Sequence, residues 1–253
     1  MTTKFKVNEQ VFVPSRLLPN PAAQNFALRR AKVLEQKARS VRINLQDEHG
    51  NDIEVASRLV HRKNLGIGVI RIGDFKTELN ALDPLAKSMM HYLRLLLEPD
   101  AVVLREVRTS TEICAVWAEL APRTSHIVLI GHGNADSLNF LDLDAPVGGD
   151  RFGTMLAGAA PKSPPKVVIS LTCLTGRAAF ASPFSASSVC TDYIAPFQLV
   201  HSAAASLFGQ SFFANHLLSG LGVAAAFRRA HAAVGTGVTF RHWRTGGFTT
   251  LKR

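Results

Sequence analysis

Cysteine is scarce in this chain, with three in 253 residues. An odd, sparse count does not build the disulfide framework of a small secreted domain. Each thiol is then either a small buried hydrophobe or a reactive group, and a reducing, cytoplasmic setting is expected. The opening MTTKFKVNEQVF lacks the apolar run of a secretory signal, so export is not expected. Long hydrophobic runs are also missing. The one apolar window of membrane length, Leu207 to Phe227, holds Gln210, Asn215, His216 and three glycines, which a lipid-facing helix would leave unsatisfied. It reads as a buried helix followed by a break, with no membrane partner.

Acidic residues are the minority, 19 against 29 Lys and Arg, for a net charge of +10. The excess is uneven: residues 1–63 hold 12 Lys/Arg and 6 Asp/Glu, while the remaining 190 hold 17 and 13. A basic face can draw nucleic acid or an acidic partner. Here acids dilute it, aromatics do not interleave for base stacking, and no nucleic-acid motif is present, so a solvated face is expected and nucleic acid is not. Other chemistries lack their signatures. There is no G-x-S-x-G around any serine, and the nine histidines never meet cysteines at metal spacing. Gly220 to Ala225 matches G-x-G-x-x-A but follows a helical run rather than a strand. Neither metal nor organic cofactor is called for.

What is present divides in two. Residues 1–63 read as a basic extension or small subdomain. VFVPSRLLPNPAA, with three prolines, is expected to run extended over a surface, Gln24 to Ala38 to form a helix, and Ser40 to Val60 to form a hairpin around Asp47–Asn51. From Asn64 onward, residues 64–253 alternate strand and helix. Strands are expected at Leu65–Ile72, Ala101–Val107, His126–Ile130 and Val167–Ser170, with a short one at Leu138–Leu143. Helices are expected after Ile72 through Leu97, over Ser110–Ala121 capped by Ser110 or Thr111, and over Arg151–Ala160. Buried β-branched runs alternating with helices imply an α/β fold, a mostly parallel sheet covered on both faces.

The strands HIVLI and VVIS, joined by about one helix of chain, form a βαβ unit whose carboxyl ends share one sheet edge. Chemistry in open α/β sheets collects there. His132 follows one strand and Cys173 the other, 41 residues apart. A thiol beside an imidazole supplies a nucleophile and its base, and histidine can protonate a leaving amine. Gly133 lets the backbone come close, so its N–H and that of Cys173 are candidate oxyanion donors. Cys114, on an amphipathic helix, and Cys190, before a strand, read as packing.

IVLIGHGN followed by VVISLTCLTG resembles the caspase-like (clan CD) cysteine peptidases, bacterial CHAT and metacaspase-related type. Tyr193-Ile194-Ala195-Pro196 is similar to that family's last core strand. AAASLFGQSFFANHLLSG (Ala203 to Gly220) and Val223–Ala230 are similar to its closing helices, so the likeness spans about residues 65–245. The resemblance implies a caspase-like three-layer αβα sandwich and a Cys173–His132 dyad cleaving a protein or peptide substrate, under an activating partner. It places an extended peptide along the edge Gln198 to Ser202, with Gln198, His201 and Ser202 as substrate contacts; His201-Ser202 stand where many CHAT proteins carry acids, which leaves Asp192 or Asp136 as candidate acids for the pocket. It also makes Gly176 to Ser188 a mobile loop after the nucleophile. Leu171-Thr172 stand where metacaspases carry an acid, so a preference for basic residues has no support, and no arginine for an aspartate is identifiable. The competing reading is an inactive caspase-like interaction module that docks a partner through its basic extension.

Overall fold

The computed structural model describes residues 4–18, 26–45, 52–62, 65–74, 80–142, 146–235 and 237–248. Its centre is a seven-stranded sheet. Four strands form the parallel interior and one edge: β6 (Ile67–Ile72), β7 (Val102–Val107), β8 (His126–Ile130) and β11 (Lys166–Ser170). β12 (Cys190–Pro196) is parallel to β11, whereas β13 (Phe240–Arg244) and β14 (Gly247–Phe248) are antiparallel additions. The order is β14-β13-β12-β11-β8-β6-β7. Every residue of β6 and β8 is buried. Such burial needs helices on both faces, and successive side chains alternate between the two layers. Val69, Val128, Ile169 and Ile194 face α1 (Leu82–Leu96), α5 (Ser202–Phe213) and α6 (Val223–Ala233). Ile70, Ile127, Leu129, Val168 and Tyr193 face α2 (Ser110–Leu120), α3 (Gly149–Ala159) and α4 (Ala178–Ala186). The result is the three-layer αβα sandwich that the strand and helix pattern implies.

Helix α1 shows why these segments are helical. Leu82, Leu85, Ala86, Met89, Met90, Leu93 and Leu96 recur at three and four residues and are all buried. The N-cap of α2 is Thr109, one residue before the expected Ser110 or Thr111. Its side chain accepts from Glu112 N–H at 3.0 Å while Glu112 takes the Thr109 N–H, and Ser110 bonds Asp142 instead. The apolar window at 207–227 is broken by a π-helical turn, Ala214–Leu218, and by Gly220 at φ +65°. No helix among the described residues is long and apolar enough to cross a membrane.

Three expectations fail. Residues 28–36 of the expected Gln24–Ala38 helix are β2 (Leu28–Gln36); residues 24 and 25 lie outside the described residues. Its Leu, Arg, Lys, Glu and Gln favour helix, but ladders on both sides, to β1 (Gln10–Pro14) and β3 (Ser40–Leu45), override them. The start of VFVPSRLLPNPAA is extended as expected but does not lie over a surface: Val11, Phe12 and Val13 are buried in β1, which ends at Pro14, and residues 19–23 lie outside the described residues. Finally, Gly176 to Ser188 is mostly α4, because Phe180, Ala181 and Phe184 bury against Phe152 and Tyr193. The hairpin does form. β3 pairs with β4 (Asp52–Ala56) from Ser40↔Ala56 to Asn44↔Asp52, and its turn lies outside the described residues. Of the short strand expected at Leu138–Leu143 only Leu138 is extended, in β9 (Ser137–Leu138) paired with β10 (Val147–Gly148), and residue 143 lies outside the described residues.

The amino-terminal strands form a sheet β4-β3-β2-β1-β5, with β5 at His61–Arg62. Val11, Val13, Ala31, Val33, Val41 and Ile43 make its own core, while Phe12 and Leu28 point into the α1/α5/α6 core. It docks at the amino-terminal edge of the large sheet, where His61, His126 and His216 cluster. The His126 and His216 rings lie 5.1 Å apart and those of His61 and His216 6.5 Å apart, and His61 Nε2 meets Leu217 O at 3.3 Å. Burial pushes all three below the ordinary imidazole range, His61 to about 4, and their mutual repulsion adds to it for His61 and His126. A histidine whose folded pKa is depressed binds fewer protons folded than unfolded, so its stability contribution is full above about pH 6.5 and falls as pH drops toward 4. Thermal unfolding followed from pH 7 to pH 4.5 is expected to show a falling midpoint. His61→Gln, which keeps a donor for Leu217 O, is expected to flatten that fall.

Candidate active site

Strands β8 and β11 pair in parallel, with Val168 opposite Ile127 and Ser170 opposite Leu129, and Leu171 N–H continues the ladder to Leu129 O at 2.8 Å. His132 lies three residues past Leu129 and Cys173 three past Ser170. Both residues therefore follow paired strands out of the carboxyl edge of the sheet. His132 is exposed and Cys173 half-buried.

The two exits touch. A Cβ on Gly133 would lie 2.8 Å from Thr172 Cγ2, 2.9 Å from Ser137 O and 3.0 Å from Thr175 Cγ2, so only glycine allows this approach. Beyond Gly133 the chain folds back on β9. Asn134 N–H donates to Ser137 O at 2.9 Å and Asn139 N–H to His132 O at 3.2 Å, so the ladder bonds flank Gly133 and leave its own N–H out of the ladder.

The cysteine turn is braced from below. Ser170 Oγ meets Thr175 Oγ1 at 3.0 Å and accepts from Thr172 N–H at 3.3 Å, and Thr175 Oγ1 donates to Thr172 O at 2.9 Å. Gly176 N–H donates to Pro196 O at 2.8 Å, and Trp243 Nε1 donates to Gly176 O at 3.1 Å, which ties the turn to β12 and β13. Leu174 is held at φ +64°, a conformation that costs a non-glycine residue about 1–2 kcal/mol. Such strain beside a thiol persists only where the surroundings over-determine it. The Val200 N–H points at Cys173 Sγ, 3.4 Å away, and the same sulfur lies 3.8 Å from Val200 O. Burial raises the pKa of Cys114 and, further, of Cys190, where Asp192 adds repulsion.

The expected substrate contacts separate. His201 is exposed and caps α5, its Nδ1 accepting from Ala203 N–H at 3.2 Å, and Ser202 opens that helix beside it. Both flank the groove next to Val200. Gln198 is committed to the fold: its O accepts from Leu174 N–H at 3.3 Å and its amide donates to Gly237 O at 2.5 Å. Asp192 is misplaced as a pocket acid. It pairs with Val167 at the amino-terminal end of the strands, buried between His242 (2.7 Å) and Arg244 (3.1 Å), and the length of β11 separates it from Cys173. Asp136 is exposed past His132 and accepts from Ser137 Oγ at 2.8 Å. Arg71, at the end of β6, is neutralised within the fold by Asp83 (3.0 Å) and Glu106 (2.8 Å). Among the described residues no cluster of three His, Cys, Asp or Glu side chains could hold a metal ion. The Val200 amide and the strain at Leu174 have no sequence signature. The hydroxyl brace has a faint one, Ser170, Thr172 and Thr175 grouped around the cysteine where an apolar strand ends.

Fold and site thus define a three-layer α/β protein with a thiol and an imidazole at one sheet edge. No protein-family model matches the sequence, and no curated protein matches it. Among solved structures, the chain is similar to a secreted C11 cysteine protease from Bacteroides thetaiotaomicron in complex with an irreversible peptide inhibitor, at 9% identity and a TM-score of 0.47. The match covers 71% of this chain and 66% of that protein's chain.

Gly133→Ala tests the contact between the two exits. The added methyl meets the Ser137 backbone oxygen, which cannot swing aside, so overpacking is expected to cost about 1–3 kcal/mol, read as a lower midpoint in denaturant at unchanged slope.

Proposed function

We propose that the protein is a cysteine endopeptidase of the caspase-like type, with Cys173 as nucleophile and His132 as its acid and base. The observation that carries this reading is the shared register, which gives both residues the same offset past paired parallel strands. The braced, strained turn and the Val200 N–H on the thiol support it, as does the resemblance of IVLIGHGN and VVISLTCLTG to clan CD peptidases.

The chemistry follows from those groups. The Cys173 thiolate attacks the scissile carbonyl carbon, forming a C–S bond as the carbonyl electron pair moves to oxygen. The Gly133 and Cys173 N–H groups hold that oxyanion. His132, protonated, delivers its proton to the leaving amine as the C–N bond breaks, leaving a thioester. Neutral His132 then takes a proton from water, which attacks the thioester and releases acid and thiol. The peptide lies extended along Leu199 to Ser202, where Leu199 is 73% exposed. An activating partner belongs to this proposal by resemblance alone, and a cytoplasmic setting by the sparse cysteine count.

Cys173→Ala and His132→Ala are each expected to abolish cleavage of a random peptide library while unfolding as the parent does. Undiminished cleavage by either folded variant removes the dyad. Iodoacetamide at neutral pH is expected to label Cys173 faster than Cys114 or Cys190, read by mass spectrometry of the digested protein. Equal rates, with no capture of an electrophilic peptide, instead favour the inactive interaction module.

A further inference from the structure

A cavity of about 750 Å³ opens on the same edge as Cys173, between the amino-terminal ends of α1 and α5. One wall is Asn80, Ala81, Pro84, Leu85 and Ser88. The other runs from Val200 through Ser202, Ser206 and Leu207 to Gln210. The residues recur at three and four along both helices, so this is the furrow between two packed helices, and it begins at Val200, whose N–H lies 3.4 Å from the Cys173 sulfur.

In a chain of net charge +10, the described lining holds no Asp, Glu, Lys or Arg, and His201 is its one titratable member. Leu207 is 49% exposed on it. Its polar groups are mutually bonded: Ser88 Oγ meets Ser206 Oγ at 2.7 Å, and the Gln210 amide nitrogen donates to Ser88 Oγ at 3.0 Å and to Ser206 Oγ at 2.9 Å. Those bonds use the Gln210 nitrogen and leave its carbonyl oxygen out of the cluster, an acceptor for an N–H. From Ser202 to Gln210 the furrow runs about 12 Å at 1.5 Å per helical residue, room for roughly three or four extended residues at 3.3 Å each.

We propose that this furrow is the extended substrate subsite: it takes an uncharged stretch of three or four residues on one side of the scissile bond, with Leu207 and Gln210 setting the preference. This rests on the peptidase reading above. A charged side chain laid there would lose water and gain no counter-charge from the described lining, whereas aliphatic side chains bury against Leu85, Pro84, Val200 and Leu207 and a peptide or carboxamide N–H meets Gln210 Oε1.

The test is a cleavage profile of a peptide library by the wild type and by Leu207→Glu, an exposed position whose change leaves the core intact. Wild type is expected to disfavour Asp, Glu, Lys and Arg within four positions of the cut on one side. Leu207→Glu is expected to raise relative kcat/KM for Lys at one of those positions by up to roughly fivefold, about the worth of one new charge pair at a protein surface. Fluorescence anisotropy with the Cys173→Ala protein gives a second reading without turnover, in which an uncharged library-derived peptide binds more tightly than its Lys-substituted copy. If wild type cleaves but tolerates charge on both sides of the cut, or Leu207→Glu leaves the profile unchanged, the furrow proposal falls and the peptidase reading stands. If wild type cleaves nothing and Cys173→Ala binds no peptide, both fall.

Discussion

Everything at the candidate site depends on the parallel pairing of β8 with β11. Both strands lie in the middle of the sheet and are buried on both faces, so a slip of one residue would turn every side chain into the wrong helical layer. The hydrophobic pattern on two sides thus fixes the register. Once it is fixed, what emerges at the carboxyl edge is set by counting. His132 and Cys173 share an offset because their strands share a register, and the core that holds the register is far larger than anything the site itself contributes.

The site spends some of that stability. Leu174 sits in the left-handed region, Thr172 Oγ1 is buried without a hydrogen-bond partner among the described residues, and Gly133 forgoes a side chain. Each is unfavourable locally, by about 1–3 kcal/mol for strain or an orphaned hydroxyl. They sit together around one thiol, held by the Ser170–Thr175 hydroxyl brace and by two bonds to β12 and β13.

The parallel core was legible because its signals are strong and one-dimensional. HIVLI matches β8 residue for residue, and the apolar spacing of α1 matches its buried face. The errors came where a tertiary partner outranks local preference. Residues 28–36 have a helix former's composition, yet strand ladders on both sides hold them extended. The segment after Cys173, a mobile loop by the family resemblance, is a helix because Phe180 and Phe184 have Phe152 and Tyr193 to meet. At the site, residue types and order were readable, while Asp192 was misassigned because sequence proximity to a strand does not say which end faces the cleft. The Val200 amide is a backbone group, and no residue type announces it.

The charge of the amino-terminal segment also takes a different meaning once placed. Three of its cations are engaged in ion pairs: Arg30 reaches Glu98 and Asp100 on the core, Lys37 reaches Glu54, and Arg42 lies near Glu35 and Asp52. Exposed pairs of this kind are worth about 0–1 kcal/mol each, so they orient the small sheet more than they hold it. The holding falls to Phe12 and Leu28, which enter the main core, and to the contact of His61 with Leu217. Because that docking occurs at the amino-terminal edge, the opposite edge stays clear for the thiol, the imidazole and the furrow between α1 and α5. The two edges share one structure between them, since α5 begins at the furrow and runs into the π-helical turn that carries His216 and Leu217.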